Sequence, residues 1–464
     1  MSLVKSISGI RGTVGGKPGE GLTAIDIVKF TSAFAFFIKQ KSRNEKIRIV
    51  MGRDGRASGE MISNLVSGTL ISMGANVTDI GLTTTPTTEI AVIEDNADGG
   101  IIITASHNPR QWNALKFLNS LGEFLSDEDG KQVLQLSENP GFSFEDTGRI
   151  GTYSYNDSYL MKHINKIMNL PLVDPESIKK ARLSIVVDGI NSTGGVAVPM
   201  LLKSLGVSKI IELNCEPDGD FRHDPEPIPE NITEACEKVS KTNSDLGIVI
   251  DPDVDRLAII NEVGEPFGEE YTLVAVADYI LKYNPGNTVS NLSSSQALRI
   301  ITEKAGGQYF ASAVGEVNVV EMMKAKKAVI GGEGNGGIIY PELHYGRDAL
   351  VGIALFLSHL ARSKMTCSSL RDSYPSFYIS KNKIELSPEM DFDLIFKRII
   401  RKYKAYPVAT IDGVKIHFDN EWVHLRRSNT EPIIRIYAES NLMAKADNLA
   451  RKIIMDIREI LNGK

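Results

Sequence analysis

The 464-residue chain is 42% hydrophobic and 24% charged, with apolar material for several cores and too much length for one. Its formal net charge of −6 argues against a broad nucleic-acid-binding surface, though not against a local basic pocket. Three cysteines without a CxxC or Cys/His cluster argue against disulfide scaffolding and structural zinc, and fit a reducing cytoplasm.

Cys215, Cys236 and Cys367 read as inert thiols. The first residues lack the apolar core of a signal peptide, and no uninterrupted apolar run of ~18 residues predicts a membrane helix.

In chain order, a helix is predicted over 24–39, opened by Thr23 and Asp26 as a variant capping box. Strand 46–51, helix 58–75, strand 76–80, helix 87–94 and strand 101–104 follow. Such alternation implies parallel pairing in a sheet covered on both faces. A polar stretch from 119 to 155 closes a first domain placed at 1–152.

The grammar repeats in a second domain, 153–255, with strands 183–187, 209–213 and 246–250 and helices 196–205 and 232–242. A third, 256–370, has helices 271–283, 295–305 and 316–325 and strands 288–292 and 328–330. The last, 371–464, differs: short strands at Ile384, 406–411, 415–418 and 422–425 suggest a meander, with helices 391–403 and 441–461. The expected fold is three successive mixed α/β domains of similar topology plus a C-terminal α+β domain.

Chemistry concentrates in loops that follow apolar strands. Thr104-Ala105-Ser106-His107-Asn108-Pro109 follows Ile101–Ile103, so Ser106 belongs at the carboxyl end of a buried strand, where open α/β sheets bind ligands. There Ser106 is a nucleophile, a phosphate carrier or a turn residue. Lys116 lies close enough in sequence to reach the same place.

Asp251-Pro-Asp253-Val-Asp255-Arg256 follows strand 246–250. In extended chain, side chains at i, i+2 and i+4 project to one side, and three converging carboxylates repel unless a cation neutralises them. Oxygen-only ligands with positions left for a phosphate suit Mg²⁺; an EF-hand is excluded because its glycine and terminal glutamate are missing.

Gly331-Gly-Glu333-Gly-Asn335-Gly-Gly337 is neither a dinucleotide fingerprint nor a P-loop; its glycines allow close approach, and Glu333 and Asn335 supply hydroxyl-reading groups. Arg426-Arg-Ser428-Asn429-Thr430 combines a guanidinium fork with hydroxyl, amide and backbone donors, a pattern suited to phosphate, and Arg435 adds a second cation. Ser8-Gly-Ile-Arg11-Gly12 sets an arginine between glycines, either a phosphate contact or a surface turn. His163, His359 and His417 carry no motif and read as structural or exposed.

Together these loops resemble the α-D-phosphohexomutase family over essentially the whole chain. The resemblance implies that Ser106 carries the phosphoryl group and that Ser106, Asp251, Asp253 and Asp255 bind Mg²⁺. It implies general acid/base work for Lys116, whose pKa is expected to fall in a cationic, partly buried site, with Arg11 and His107 near the phosphoserine. Arg256, Glu333 and Asn335, with Arg426, Ser428, Asn429 and Thr430, would contact a phosphosugar, and closure of the last domain would complete a central cleft.

Gly52-Arg-Asp-Gly-Arg56 and Pro217-Asp-Gly-Asp-Phe221 also look like family segments, read as structural. Departures are Ala114 and Val254 where relatives often have glycine, Asn335 where many have serine, and Gly337 where many have histidine. The implied activity interconverts hexose 6- and 1-phosphates through a 1,6-bisphosphate that also serves as activator. Glucosamine phosphate is the preferred sugar, with mannose or glucose phosphate as the alternative. A phosphosugar-binding protein without catalysis is the competing class. A cytoplasmic monomer or homodimer, with no nucleic-acid or membrane partner, is expected.

Overall fold

The computed structural model describes residues 2–6, 9–139, 141–385, 391–427 and 433–461. Contacts divide the chain into two units, residues 1–280 with 335–371, and residues 281–334 with 372–464.

In the first unit a seven-stranded sheet runs in the order Leu3–Ser6, Gly9–Thr13, Trp112–Leu118, Gly99–Ile103, Arg48–Arg53, Asn76–Leu82, Tyr153–Tyr155. The last four strands are mutually parallel, as the alternation predicts; the first three are antiparallel additions. Its helix Ala24–Lys41 has the expected capping box, with Thr23 and Asp26 each bonding the other's backbone N–H. Phe30, Phe34 and Phe37 of that helix are buried, and Phe34 stacks on Phe117 at 4.6 Å between centroids. Burying each such side chain contributes about 1.5–3 kcal/mol.

The strand Gly99–Ile103 is buried throughout. A Cβ on Gly100 would lie 2.6 Å from Val92 of the helix Thr85–Glu94, so glycine there lets that helix close onto the sheet. The stretch read only as polar contains the helix Asp127–Glu138, capped by Ser126. Tyr153–Tyr155 extends the first sheet past the seam placed at 152.

The unit's second sheet has the order Leu257–Asn261, Leu246–Ile250, Ser184–Asp188, Lys209–Leu213. Its first strand is antiparallel and lies beyond the seam placed at 255. The helix Ala349–Ser363, absent from the sequence reading, has twelve consecutive buried residues, Ala349 through Leu360.

In the second unit, strands Tyr309–Ser312, Asn287–Asn291 and Ala328–Glu333 pair parallel, with the helices Ala297–Lys304 and Glu316–Lys326. A five-stranded antiparallel sheet follows the order Tyr378–Glu385, Ile433–Ser440, Trp422–Arg427, Val414–His417, Val408–Ala409. The expected meander is present, but Ile433–Ser440 is inserted between its first and later strands. The helices Phe392–Lys402 and Met443–Leu461 cover a core of Ile395, Ile399, Ile434, Ile436 and Ile453. Among the described residues no helix is long and apolar enough to cross a membrane.

Candidate active site

Ser106 follows the strand Gly99–Ile103, and its backbone takes φ 47°. Side chains other than glycine, asparagine and aspartate rarely adopt this left-handed conformation, which costs of order 1–3 kcal/mol and persists only where surroundings enforce it. Arg56 enforces it. Its guanidinium donates to the carbonyls of Ser106 at 2.5 Å, Asn108 at 2.6 Å, Pro109 at 2.8 Å and Trp112 at 2.9 Å. Its Nε meets Asp54 at 3.1 Å, while Asp54 accepts from Thr104 at 2.6 Å and Thr104 Oγ1 accepts the Ser106 N–H at 2.9 Å. The segment Gly52–Arg56 is therefore the brace of the serine loop.

The brace presents Ser106 Oγ to Asp251 Oδ2 at 2.7 Å. Asp251, Asp253 and Asp255 are all fully buried and offer carboxylate oxygens within 4.8 Å of one another. Between Asp253 and Asp255, Val254 takes φ 63°, the left-handed turn that explains the frequent glycine there. Two neighbours hold the loop from outside. Thr85 donates its hydroxyl to Asp253 at 2.6 Å, and Arg347 donates to Asp255 at 2.6 Å.

Cations pair these carboxylates unequally. Lys116 Nζ lies 2.8 Å from Asp253, and Arg347 serves Asp255. Asp251 accepts from Ser106 and from the backbone N–H groups of Asp255 and Arg256, and among the described residues it makes no ion pair of its own. Burial first, then Asp255 and Asp253, push the Asp251 carboxyl well above the usual range. Burial acts in the same sense on Asp253, but Lys116 and Thr85 outweigh it and hold that carboxyl low.

The Oδ1 atoms of Asp253 and Asp255 are buried without a hydrogen bond. Arg256 Nε stands 3.9 Å from the Asp255 oxygen, too far for a hydrogen bond, and two such oxygens beside a third carboxylate and a hydroxyl form an all-oxygen donor set that fits a hard divalent cation such as Mg²⁺.

Lys116 departs from one expectation. A fall in its pKa was expected from a cationic setting; burial does press it down, but Asp253 and Asp255 prevail and raise it. The resting side chain is an ammonium. His107 lies 3.4 Å from Ser106 Oγ, and burial, then Arg256 and Arg347, drive its pKa down to about 2. It is a neutral imidazole at physiological pH and no proton donor there.

Arg11 pairs with Ala114 across the antiparallel strands Gly9–Thr13 and Trp112–Leu118. Directly opposed residues share a face, and Lys116 is two positions on, so Arg11 and Lys116 rise from the same side of the sheet. Arg256 reaches Glu226 at 2.9 Å. Asn335 accepts the Gly337 N–H at 3.2 Å.

In the second unit Glu333 accepts from Asn291 at 2.9 Å and from the Gly315 N–H at 3.1 Å. Arg426 pairs with Arg435 directly across the sheet, and Arg435 with Lys383 on its other side, a row of three cations on one face. Like charges in register repel. Asp412, 3.0 Å from Arg426, neutralises part of the row. Ser428, Asn429 and Thr430 lie outside the described residues.

Sequence reasoning missed Thr85 and Arg347 because they are 168 and 92 residues from the carboxylates they bind. No local pattern announces such pairs.

All four domain models of the phosphoglucomutase/phosphomannomutase family match: α/β/α domain I over residues 4–143, II over 159–264, III over 268–377 and the C-terminal domain over 389–455. A Thermococcus kodakarensis protein named phosphoglucomutase/phosphomannomutase is 36% identical over 459 residues, 98% of each chain. A Sulfurisphaera tokodaii phosphoglucosamine/phosphogalactosamine mutase is 32% identical over 479 aligned positions, spanning 100% of both chains. The crystal structure of a family protein from Burkholderia thailandensis shares the fold at TM-score 0.84 and 24% identity, covering 98% of each chain.

Proposed function

The chain belongs to the phosphoglucomutase/phosphomannomutase family, and we propose that it interconverts hexose 6-phosphates and hexose 1-phosphates through phosphorylated Ser106, glucosamine phosphate being preferred. The observation that carries this reading is Ser106 Oγ, braced in left-handed backbone 2.7 Å from Asp251 in a buried three-carboxylate cluster. An acyl-transfer serine needs a base and an oxyanion site; a phosphoryl-carrying serine needs charge neutralisation and alignment.

Asp251, Asp253, Asp255 and Ser106 would hold Mg²⁺, which when bound neutralises charge on the transferring phosphoryl group. Phosphorylated Ser106 gives its phosphoryl group to the O1 or O6 hydroxyl of a hexose monophosphate. The new sugar O–P bond forms as the serine Oγ–P bond breaks, the sugar hydroxyl loses its proton and Oγ gains one. The bisphosphate then returns its other phosphoryl group to Ser106. Lys116 begins as an ammonium, so it gives its proton to the departing Oγ and takes up the proton leaving the sugar hydroxyl; in the return transfer the same relay runs in reverse. Arg11, His107 and Arg256 line the phosphoserine side of the reaction, and Glu333 and Asn335 read sugar hydroxyls. Arg426, Arg435 and the 428–430 segment bind phosphate.

The 36% identity to a phosphoglucomutase/phosphomannomutase supports glucose or mannose phosphate as the second reading of the sugar. Hexose 1,6-bisphosphate is the activator, and the enzyme works in the cytoplasm as a monomer or homodimer. Comparative kcat/KM on glucosamine, mannose, glucose and N-acetylglucosamine phosphates, primed with bisphosphate, ranks the sugars. Turnover of none would leave the non-catalytic phosphosugar binder as the correct class.

A further inference from the structure

We propose that Arg347 is a positioning residue for the cation site and that Gly337 exists to let its side chain pass; this rests on reading Asp251, Asp253 and Asp255 as a divalent-cation site. The guanidinium Nη2 is 2.6 Å from Asp255 Oδ2, with Arg347 8% exposed and Asp255 fully buried. One carboxylate oxygen is thereby fixed. The other, Oδ1, is buried without a hydrogen bond. An arginine holding one oxygen of a carboxylate sets the direction in which the second faces, as outer partners do around metal sites.

The path of the arginine stem explains the glycine. A Cβ at residue 337 would lie 2.4 Å from Arg347 Cδ, closer than real Cβ atoms come to a neighbour, and 3.1 Å from its Cγ, so the arginine stem would have to shift. Gly337 has no positive φ, so its backbone does not call for glycine; the space does. Asn335 Oδ1 is also 3.1 Å from that Cβ position and accepts the Gly337 N–H. One small space thus couples a sugar-reading candidate, a glycine and a carboxylate.

The backbone around Arg347 is pinned on both sides of the cation loop. Leu257 N–H donates to Gly336 at 3.2 Å, and Ala349 N–H donates to Val254 at 3.1 Å. The neighbouring Asp348 caps the helix Ala349–Ser363 through the Leu350 and Val351 N–H groups and meets His163 at 2.9 Å. The stem therefore starts from a fixed point, and small displacements at 337 are transmitted to Asp255.

The test is Mn²⁺ binding measured calorimetrically on the full-length protein without sugar phosphate, for wild type, Arg347→Lys, Arg347→Met, Gly337→Ala and the Gly337→Ala/Arg347→Met double variant. Circular dichroism on each confirms folding. Arg347→Lys keeps the charge and loses the fork, so weaker binding there identifies orientation rather than charge.

Each single variant is expected to bind Mn²⁺ roughly 10–100-fold more weakly. The double variant is expected to match Arg347→Met, because once the guanidinium is gone a displaced stem has no hold on Asp255 left to lose. Wild-type affinity in Arg347→Met, or additive losses in the double variant, would overturn the proposal while leaving the mutase reading intact. A wild type that binds no Mn²⁺ overturns the cation-site reading and this proposal with it.

Discussion

Arg56 reaches across fifty residues of chain to donate a 2.5 Å hydrogen bond to the carbonyl of Ser106. The same guanidinium takes three further carbonyls of that loop and the Asp54 carboxylate, all in a side chain only 1% exposed. The left-handed serine is thus held by a residue that touches none of the reacting atoms.

Arg56→Ala leaves Asp54 buried without its cation and four carbonyls without a donor, and is expected to cost about 3–5 kcal/mol in urea unfolding. Arg56→Lys keeps the charge but cannot span four acceptors. It is expected to fold, with a lower Tm and a lower kcat at nearly unchanged KM. Normal kcat in that variant would separate the brace from the activity.

The unequal pairing of the carboxylates gives a second expectation. Burial, then Asp255 and Asp253, outweigh Arg256 and raise the Asp251 carboxyl, so its charged form is disfavoured. Asp251→Asn is therefore expected to be at least as stable as wild type in EDTA and to lose the rise in Tm that Mg²⁺ produces. At Mg²⁺ a hundredfold above Kd, the wild-type gain is about 2.7 kcal/mol. A variant that still responds fully to Mg²⁺ would remove Asp251 from the ligand set.

His344 supplies a pH dependence away from the reaction. Its ring lies 3.1 Å from Glu89 and 3.3 Å from Asp348. Burial presses the imidazolium down, but the two carboxylates raise its pKa from 6.5 to about 10. The bound proton stabilises the fold fully below about pH 6.5, where both folded and unfolded chains carry it. As pH rises the unfolded chain loses it first, so the contribution shrinks and is gone above about pH 10. The Tm gap between wild type and His344→Gln is expected to narrow from pH 6 to pH 10; a constant gap would contradict the assignment.

The row Lys383, Arg435, Arg426 bears on phosphate binding. A charge-assisted hydrogen bond is worth about 1.5–3 kcal/mol, so Arg435→Gln is expected to raise KM roughly 10–100-fold with kcat little changed. Lys383 is exposed and pairs with Glu385 at 3.5 Å, so Lys383→Gln should do far less. An unchanged KM in Arg435→Gln would exclude the row as a phosphate contact.

What was legible in the sequence was local. Ser106 and the three aspartates follow buried apolar strands and the capping box of Thr23 and Asp26 forms, whereas Arg11, Glu333 and Arg426 lie inside strands rather than in the loops after them. The helix Ala349–Ser363 was not legible because it is buried on all sides and shows no 3.6-residue polar stripe. Tyr153–Tyr155 and Leu257–Asn261 join sheets built from earlier strands, pairings that no local pattern announces. The direction of the Lys116 shift depended on Asp253, 137 residues away, and no spacing rule supplies that distance.

The central claim is that Ser106 carries the phosphoryl group. The direct measurement is peptide mapping by mass spectrometry after the protein is incubated with hexose 1,6-bisphosphate and Mg²⁺, alongside turnover of Ser106→Ala. A gain of about 80 Da confined to Ser106, lost on adding hexose monophosphate, is predicted together with near-complete loss of activity in the variant. Phosphate found on another residue, or wild-type turnover in Ser106→Ala, would contradict it.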